Sequence, residues 1–294
     1  MLPRIFSMLA FHRPPPVVAV VRLEGTIGRT GLMRAGLTDD RMRPSLERAF
    51  SLRGLKAVAL VINSPGGSPA QSALIHQRIR RMASEKNVPV MAFIEDVAAS
   101  GGYWLVIAAD EIFVDPNSIV GSIGVIYAGF GFADAIEKLG IERRMHTAGD
   151  RKSLLDPFRP EREEDIQRLR AVQGQIHENF KEAVRARRGQ RLKGEEDDLF
   201  SGEFWLGREA VSRGLADGLG EMAAVLKERF GEDVRLRRIG PRRGWLRRRF
   251  GALGGGAFGN PLGGGSDYAD AGGGLVDGVL SAIEARALWS RFGL

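Results

Sequence analysis

The sequence predicts an α/β protein in which buried parallel strands alternate with helices. Three observations support this fold class: short apolar runs end at glycine turns, amphipathic stretches with helical period follow them, and the pair repeats along the chain. Strands that are apolar on both faces are typical of a parallel sheet covered by helices on both sides. With 294 residues, of which 44% are hydrophobic, the chain can bury a full core.

Strands are predicted where apolar and β-branched residues cluster: Val17 to Leu23, Lys56 to Ile62, Val88 to Ile94, Glu111 to Val114 and Ile141 to Thr147. Helices are predicted between and after them: Arg41 to Leu52, Pro69 to Glu85, Tyr103 to Ala109, Phe132 to Leu139, Glu161 to Arg188, Arg208 to Arg213 and Val276 to Phe292. The long helix that ends at Arg188 carries an apolar stripe, which is typical of a helix that faces a core or another subunit.

Composition divides the chain into five segments. Residues 1–16 are an N-terminal arm that ends in three prolines, and residues 17–234 form the folded domain. Residues 235–250 are a basic segment with eight arginines and no acidic residue. Residues 251–274 contain 11 glycines and are expected to be a flexible linker. Residues 275–294 are expected to form a short amphipathic helix, and its partner could be the body, a neighbouring subunit or a membrane.

The net charge of +7 comes from the basic segment, because removing its eight arginines leaves 7 − 8 = −1. An anionic membrane surface is the partner that we expect for this segment, with nucleic acid or plain solvent as the alternatives. The chain has no cysteine, which excludes disulfides and thiolate sites. The four histidines lack the paired spacing of metal ligands, so we expect neither a metal nor another cofactor.

A serine turn at residues 95–105 (EDVAASGGYWL) is the strongest chemical signal in the chain. Ser100 lies between small residues and is followed by two glycines and an apolar helical run, which places its hydroxyl on a tight turn between a strand and a helix. The first backbone N–H groups of such a helix lack partners within it and point toward the same place. A nucleophile beside such donors is what acyl transfer requires. A serine that only caps the helix is the alternative.

A second strand ends in a glycine turn at residues 63–67 (NSPGG), and Pro69 suits the first turn of the helix that follows. Two strand–glycine–helix units about 35 residues apart could place both turns at one end of a sheet. We therefore expect the oxyanion to be held by backbone N–H groups of Gly66, Gly67 and Gly101.

Residues 63–67 (NSPGG), 98–103 (AASGGY) and 121–125 (GSIGV) together resemble the signal peptide peptidase A (SppA) family of serine peptidases, in its short form, over roughly residues 17–225. The resemblance implies a ClpP/crotonase-like fold, a homo-oligomer, and a Ser–Lys dyad with Ser100 as the nucleophile. The family's lysine lies about fifty residues after its serine, and residues 149–153 (GDRKS) match that segment. Lys152 is therefore the candidate base, and the resemblance implies extended peptide substrates such as signal-peptide remnants.

A lysine can act as the base only when it is neutral, and burial can lower a lysine pKa by up to roughly 3–5 units. Lys152 therefore needs an apolar pocket without a carboxylate partner, and either Asp150 or Asp156 would oppose catalysis if it faced the amine. Ser122 and Ser153 are candidates for orienting the lysine, although each is equally well explained as a turn residue. Because residues 149–159 would be wet in a monomer, we expect a neighbouring subunit to complete the pocket.

Three alternatives to this dyad remain. His146 is the first histidine after Ser100 and could serve as the base of a Ser–His arrangement. Crotonase-like acyl-CoA chemistry uses a related turn but does not need the serine. A non-catalytic, membrane-tethered scaffold of the same fold is the alternative from another functional class.

The sequence shows no run of the roughly 20 apolar residues that a spanning helix needs. The short apolar run before His12 is followed by prolines where small residues should mark signal-peptide cleavage. We therefore expect no signal peptide and a location in the cytoplasm or at the periphery of the inner membrane.

Overall fold

The computed structural model describes residues 14–30, 34–149 and 151–240, together with residues 289, 290 and 292. Ten strands lie in these ranges: β1 (Val17–Glu24), β2 (Arg29–Thr30), β3 (Arg34–Ala35), β4 (Leu55–Ser64), β5 (Val90–Ala99), β6 (Glu111–Val114), β7 (Ile119–Gly121), β8 (Phe204–Leu206), β9 (Gly218–Leu219) and β10 (Arg235–Ile239). Eight of them form one sheet in the order β10-β1-β4-β5-β6-β9, with β7 beside β5 and β8 beside β7. Within this sheet every pair is parallel except β7 with β8, whereas β2 and β3 form a separate antiparallel pair, so the predicted α/β class is confirmed.

The helices within the described ranges are α1 (Asp39–Phe50), α2 (Pro69–Lys86), α3 (Gly101–Val106), α4 (Ala133–Lys138), α5 (Glu163–Arg188), α6 (Glu196–Leu199), α7 (Gly207–Ser212) and α8 (Met222–Phe230). Ser68 caps the N-terminus of α2 by accepting a hydrogen bond from the N–H of Gln71, and Pro69 follows it in the first turn. Asn87 ends α2 in the left-handed conformation, which an asparagine tolerates. The sequence therefore sets both ends of this helix.

Both faces of the central strands are buried, as their continuous apolar sequences predict. Alternate residues of β1, β4 and β5, among them Val21, Leu60 and Ala92, face the larger core beneath α1, α2 and α3. The residues between them, among them Val20 and Phe93, face a smaller core that α8 covers. At roughly 25 cal/mol per Å² of apolar surface, burial on both faces makes these strands the stable frame of the domain.

Two predictions about elements need correction or extension. No strand forms at Ile141 to Thr147, where the backbone is irregular and the side chains are mostly exposed, because no neighbouring strand pairs with it in the described ranges. The first residues of the basic segment form β10, which pairs with β1 and so belongs to the sheet. The linker at 251–274, and all of the terminal helix except residues 289, 290 and 292, lie outside the described residues.

Candidate active site

Ser100 lies at the junction of β5 and α3, where the predicted turn places it. Its backbone has φ 53° and ψ −123°, a conformation that non-glycine residues rarely adopt. Its N–H donates to the carbonyl oxygen of Gly121 at 2.8 Å. Its side chain is partly exposed at the start of α3. A strained backbone that surrounding contacts hold in place is typical of a functional position, and here it presents the hydroxyl at the end of the sheet.

The glycine turn after β4 packs directly against Ser100. A Cβ atom on Gly66 would lie 2.9 Å from Ser100 Cβ and 2.9 Å from the carbonyl oxygen of Ala99. A Cβ atom on Gly102 would lie 2.4 Å from the carbonyl oxygen of Ser64. Only glycine allows the two turns to approach this closely, so the structure brings residues 63–67 and 98–103 together.

The three candidate oxyanion donors differ in what they already bind. The N–H of Gly66 donates to Ser64 Oγ at 3.2 Å. The N–H groups of Gly67 and Gly101 bond to no acceptor in the described part of the chain. The Gly67 nitrogen also lies 3.4 Å from where a Cβ on Gly101 would be, so the two amides are close together. Gly67 and Gly101 are therefore better placed than Gly66 to bind an oxyanion.

The loop that follows β7 supports Ser100 from the other side. Besides accepting the Ser100 N–H, Gly121 leaves no room for a side chain, since a Cβ would lie 2.9 Å from the ring of Trp205. Ser122 is buried, has φ 52°, and donates its N–H to the carbonyl oxygen of Glu203 at 2.6 Å. No hydrogen bond joins Ser122 to Lys152 in the described residues. The support from Gly121 could not be read from side-chain chemistry, because it uses a backbone carbonyl.

Lys152 lies in an exposed turn at residues 151–155. Its N–H donates to the carbonyl oxygen of Gly149 at 3.2 Å, and no ion pair or hydrogen bond of its amine is present among the described residues. Ser153, the other candidate orienter, is partly exposed beside it. The carboxylate of Asp156 is held by Arg143 at 3.4 Å and by the N–H of Phe158 at 3.2 Å. Asp156 thus bonds to partners other than the lysine, and Asp150 lies outside the described residues.

Lys152 belongs to a long stretch that packs poorly against the rest of the chain. From 126 to 164, leaving aside the undescribed residue 150, no residue is buried. Eight large apolar side chains in this stretch are exposed: Ile126, Tyr127, Phe130, Phe132, Leu139, Ile141, Leu154 and Phe158. Soluble monomers rarely expose so many large apolar groups in one segment, so this stretch has the character of an interaction surface.

None of the three described histidines, His76, His146 and His177, forms a hydrogen bond with Ser100. His146, the alternative base, is exposed in the irregular segment that was predicted to be a strand. His76 donates from Nδ1 to the carbonyl oxygen of Trp104 at 3.1 Å, and His177 donates from Nε2 to that of Ile123 at 3.0 Å. The described part of the chain contains no cluster of three or more histidine or acidic side chains suited to a metal ion.

A cavity of about 760 Å³ lies on the face of the sheet that carries the smaller core, and Val20, Val61 and Phe93 line it. Ser100 does not line this cavity, so its volume does not mark the candidate site. No helix in the described ranges is both long enough and apolar enough to cross a membrane.

The sequence model described as peptidase family S49 matches residues 82–233, a region that includes Ser100 and Lys152. The chain is 34% identical to protease 4 of Haemophilus influenzae over 226 residues, which cover 74% of this chain and 35% of that protein. It is 28% identical to the chloroplastic serine protease SPPA of Arabidopsis thaliana over 214 residues, or 71% of this chain and 31% of that protein.

Over its whole length the chain also resembles part of a protein named for transport. It is 46% identical over 296 residues to the Na(+)/H(+) antiporter NhaA of Brucella melitensis, and the match covers 38% of that protein. The chain therefore spans between 31% and 38% of the length of these three relatives. Among solved structures, a 1510-N membrane-bound stomatin-specific protease covers 78% of the chain with a TM-score of 0.47 and 16% identity.

Proposed function

Because the chain belongs to peptidase family S49, we propose that it is a serine endopeptidase in which Ser100 is the nucleophile and Lys152 the general base. The observation that carries this proposal is the close approach of the Gly66–Gly67 turn to Ser100 at the start of α3. It supports the proposal because it brings Ser100 against a turn whose Gly67 N–H, like the N–H of Gly101, has no partner in the described ranges. That combination suits acyl transfer.

The proposed reaction follows from this arrangement. Neutral Lys152 takes the proton from Ser100 Oγ, and the oxygen attacks the scissile carbonyl carbon. The N–H groups of Gly67 and Gly101 stabilise the resulting oxyanion. The protonated lysine then gives its proton to the departing amine, which leaves an acyl ester on Ser100. The lysine next activates a water molecule, which hydrolyses this ester and releases the second product.

Assembly is the second part of the proposal. A neutral lysine needs a dry pocket, whereas Lys152 is exposed in the single chain. The exposed apolar side chains of residues 126–158 would be buried if this segment packed against a neighbouring subunit. We therefore infer a homo-oligomer in which the Lys152 segment of one subunit completes a site that it shares with Ser100 of the next.

The proposed substrates are peptides bound in an extended form, such as signal-peptide remnants or other membrane-associated peptides. The names of the S49 relatives support a peptide substrate. The basic segment supports a location near an anionic membrane surface, because arginines are attracted to anionic lipids by about 1 kcal/mol each.

A non-catalytic, membrane-tethered scaffold is the second candidate. One observation favours it: the chain matches part of a protein that is named as an antiporter rather than as a peptidase. In that case the fold would serve as a tether or docking unit, and Ser100 would not react.

Labelling with a fluorophosphonate separates the two candidates. The peptidase is modified at Ser100 and hydrolyses a fluorogenic apolar peptide, whereas Ser100→Ala does neither and keeps the circular dichroism of the parent. Ser212→Ala is the matched control, because Ser212 is an exposed serine on α7 whose hydroxyl donates, among the described residues, only to the carbonyl oxygen of Glu209. A folded, assembled parent that is neither labelled nor active would favour the scaffold.

A further inference from the structure

Helix α5 contacts the structures on both sides of Ser100. It is 26 residues long and contacts, in order, the loop after β7, the middle of α3 and the residues that follow α3. Three of its side chains, His177, Phe180 and Arg187, make these contacts. None of them touches Ser100, and the reaction proposed above uses none of them.

His177 holds the loop that accepts the Ser100 N–H. Its Nε2 lies 3.0 Å from the carbonyl oxygen of Ile123. Because a carbonyl oxygen can only accept, Nε2 carries the proton in this bond. Ile123 is fully buried and lies two residues after Gly121, whose own carbonyl oxygen receives the Ser100 N–H. The histidine thus fixes the position of a short loop whose other end is bonded to the nucleophile.

Arg187 holds the other end of α3. Its Nε donates to the carbonyl oxygen of Ile107 and its Nη2 to that of Ala109, both at 2.9 Å. The same Nη2 lies 3.0 Å from Asp110 Oδ1. The planar guanidinium therefore binds two carbonyl groups that follow α3 and would otherwise lack helical partners.

Phe180 lies between these two contacts and stacks on Trp104 of α3, with ring centroids 4.5 Å apart and planes 3° from parallel. One rigid helix thus contacts the loop that bonds to Ser100, the middle of α3 and its end. The positive φ of Ser100 is a conformation that persists only when the surroundings hold it. α5 supplies part of that restraint.

We propose that His177 and Arg187 are positioning residues that hold Ser100 in its reactive backbone conformation, one through the loop after β7 and the other through α3. This inference rests on the proposed role of Ser100 as the nucleophile. Its physical content, the restraint of residues 100–104, can be measured even if that role fails.

The first test compares His177→Leu with His177→Gln at a protein concentration where the parent is assembled. Leucine fills space but cannot donate, whereas the glutamine amide can replace the Nε2–H donor. The leucine variant should lose about tenfold in kcat with little change in KM, the scale expected for one lost hydrogen bond. The glutamine variant should recover most of this loss. Parental activity in both variants, or the same loss of activity in both, would overturn the role of His177.

The second test compares Arg187→Lys with Arg185→Lys. Arg185 lies on the same helix and pairs with Glu178 and Glu196, and none of its bonds reaches α3. Lysine keeps the charge but cannot reproduce the fork that spans two carbonyl oxygens. The rate of fluorophosphonate labelling should fall severalfold for Arg187→Lys and stay at the parent rate for Arg185→Lys. A parent rate in both variants would overturn the role of Arg187.

Amide hydrogen exchange separates failure of this inference from failure of the proposed function. Peptides that contain residues 100–104 should exchange faster in His177→Leu and Arg187→Lys than in the parent, at equal global stability. Faster exchange without any labelling of the parent would leave the restraint standing and remove Ser100 as the nucleophile. Unchanged exchange would overturn the inference whatever the activity.

Discussion

The backbone N–H of Ser100 donates to the carbonyl oxygen of Gly121 at 2.8 Å, which joins the motif at residues 98–103 to the motif at residues 121–125. Gly121 also ends β7, the strand that pairs with the last residues of β5. The strained turn at Ser100 is therefore continuous with the hydrogen bonding of the sheet. Its geometry should be part of the folded state and should not depend on substrate.

Replacing Lys152 tests the general base. Lys152→Arg should be nearly as inactive as Lys152→Ala, because an arginine stays protonated and cannot accept the proton of Ser100. The measurement is hydrolysis of a fluorogenic peptide by equal amounts of assembled protein. Lys138→Ala is the matched control, since Lys138 is an exposed lysine on α4 in the same unburied stretch. An active arginine variant would exclude Lys152 as the base.

Complementation tests whether the dyad is shared between subunits. Ser100→Ala and Lys152→Ala proteins should each be inactive, and their mixture should regain activity after subunit exchange. The reason is that an intact Ser100 can then meet an intact Lys152 from a neighbour. Mass spectrometry of isotopically labelled subunits verifies the exchange. Continued inactivity of a fully exchanged mixture would show that each site uses one chain.

Gly67→Ala tests the oxyanion turn. An alanine Cβ at this position would lie 2.1 Å from the carbonyl oxygen of Ile27, and the glycine has φ +139°, so the turn must move. Loss of one oxyanion donor typically lowers kcat by about 10²–10³-fold. Gly174→Ala is the control, because a Cβ there meets nothing within 4 Å. A Gly67→Ala protein that folds and keeps parental kcat would rule out the turn as a donor.

His76 should make the fold sensitive to mild acid. Burial lowers its pKa from 6.5 to about 4, with smaller effects from Arg187 and Arg80, against the opposing effect of the bond to the Trp104 carbonyl. Between these two values the unfolded chain binds a proton that the folded chain does not. Stability that is fully present above pH 6.5 is therefore lost as the pH falls toward 4, by about 3 kcal/mol at most.

Urea unfolding at several pH values between 4 and 7 measures this effect. His76→Asn keeps a donor for the Trp104 carbonyl but does not titrate, so its stability should fall less over the same range. Carboxylates contribute to acid unfolding in both proteins, and the difference between the two curves isolates the histidine. Parallel curves would contradict the prediction.

Truncation after Gly240 tests the membrane proposal without removing β10 from the sheet. The shortened protein should bind anionic liposomes more weakly than the full chain, and raised salt should abolish most of the difference because it screens charge. Neutral liposomes are the control. Undiminished, salt-insensitive binding by the truncated protein would show that the lost arginines are not the contact.

Much of the fold follows from local sequence because the central strands are apolar on both faces. The positions of β1, β4, β5 and β6 were predicted from continuous apolar runs, and α2 and α5 from helical periodicity. β10 was not predicted, since its arginines resemble those of the tail and its pairing depends on β1. The strand predicted at Ile141 to Thr147 was wrong for the opposite reason: its apolar pattern suits a strand, but no strand pairs with it in the described ranges.

The site was likewise predictable where local sequence carries the signal and not where it depends on long-range pairing. Ser100 and the glycine turns carry signals in their own residue types and spacing, and the structure places them in contact. The supports of Ser100 are different, since Gly121 acts through a carbonyl oxygen and His177 binds a carbonyl 54 residues away in sequence. Such pairings exist only after the chain has folded, so no local pattern records them.

β10 also shapes how the sheet meets other molecules. It is a terminal strand of the described sheet, and three of its five residues are exposed arginines. A strand edge with free backbone groups invites pairing with another chain, and positive charge discourages that pairing. The exposed arginines of Arg235–Ile239 therefore oppose edge-to-edge aggregation of the sheet. A protein cut before Arg235 would expose the longer and far more apolar edge of β1, and fibrous or amorphous self-association would follow.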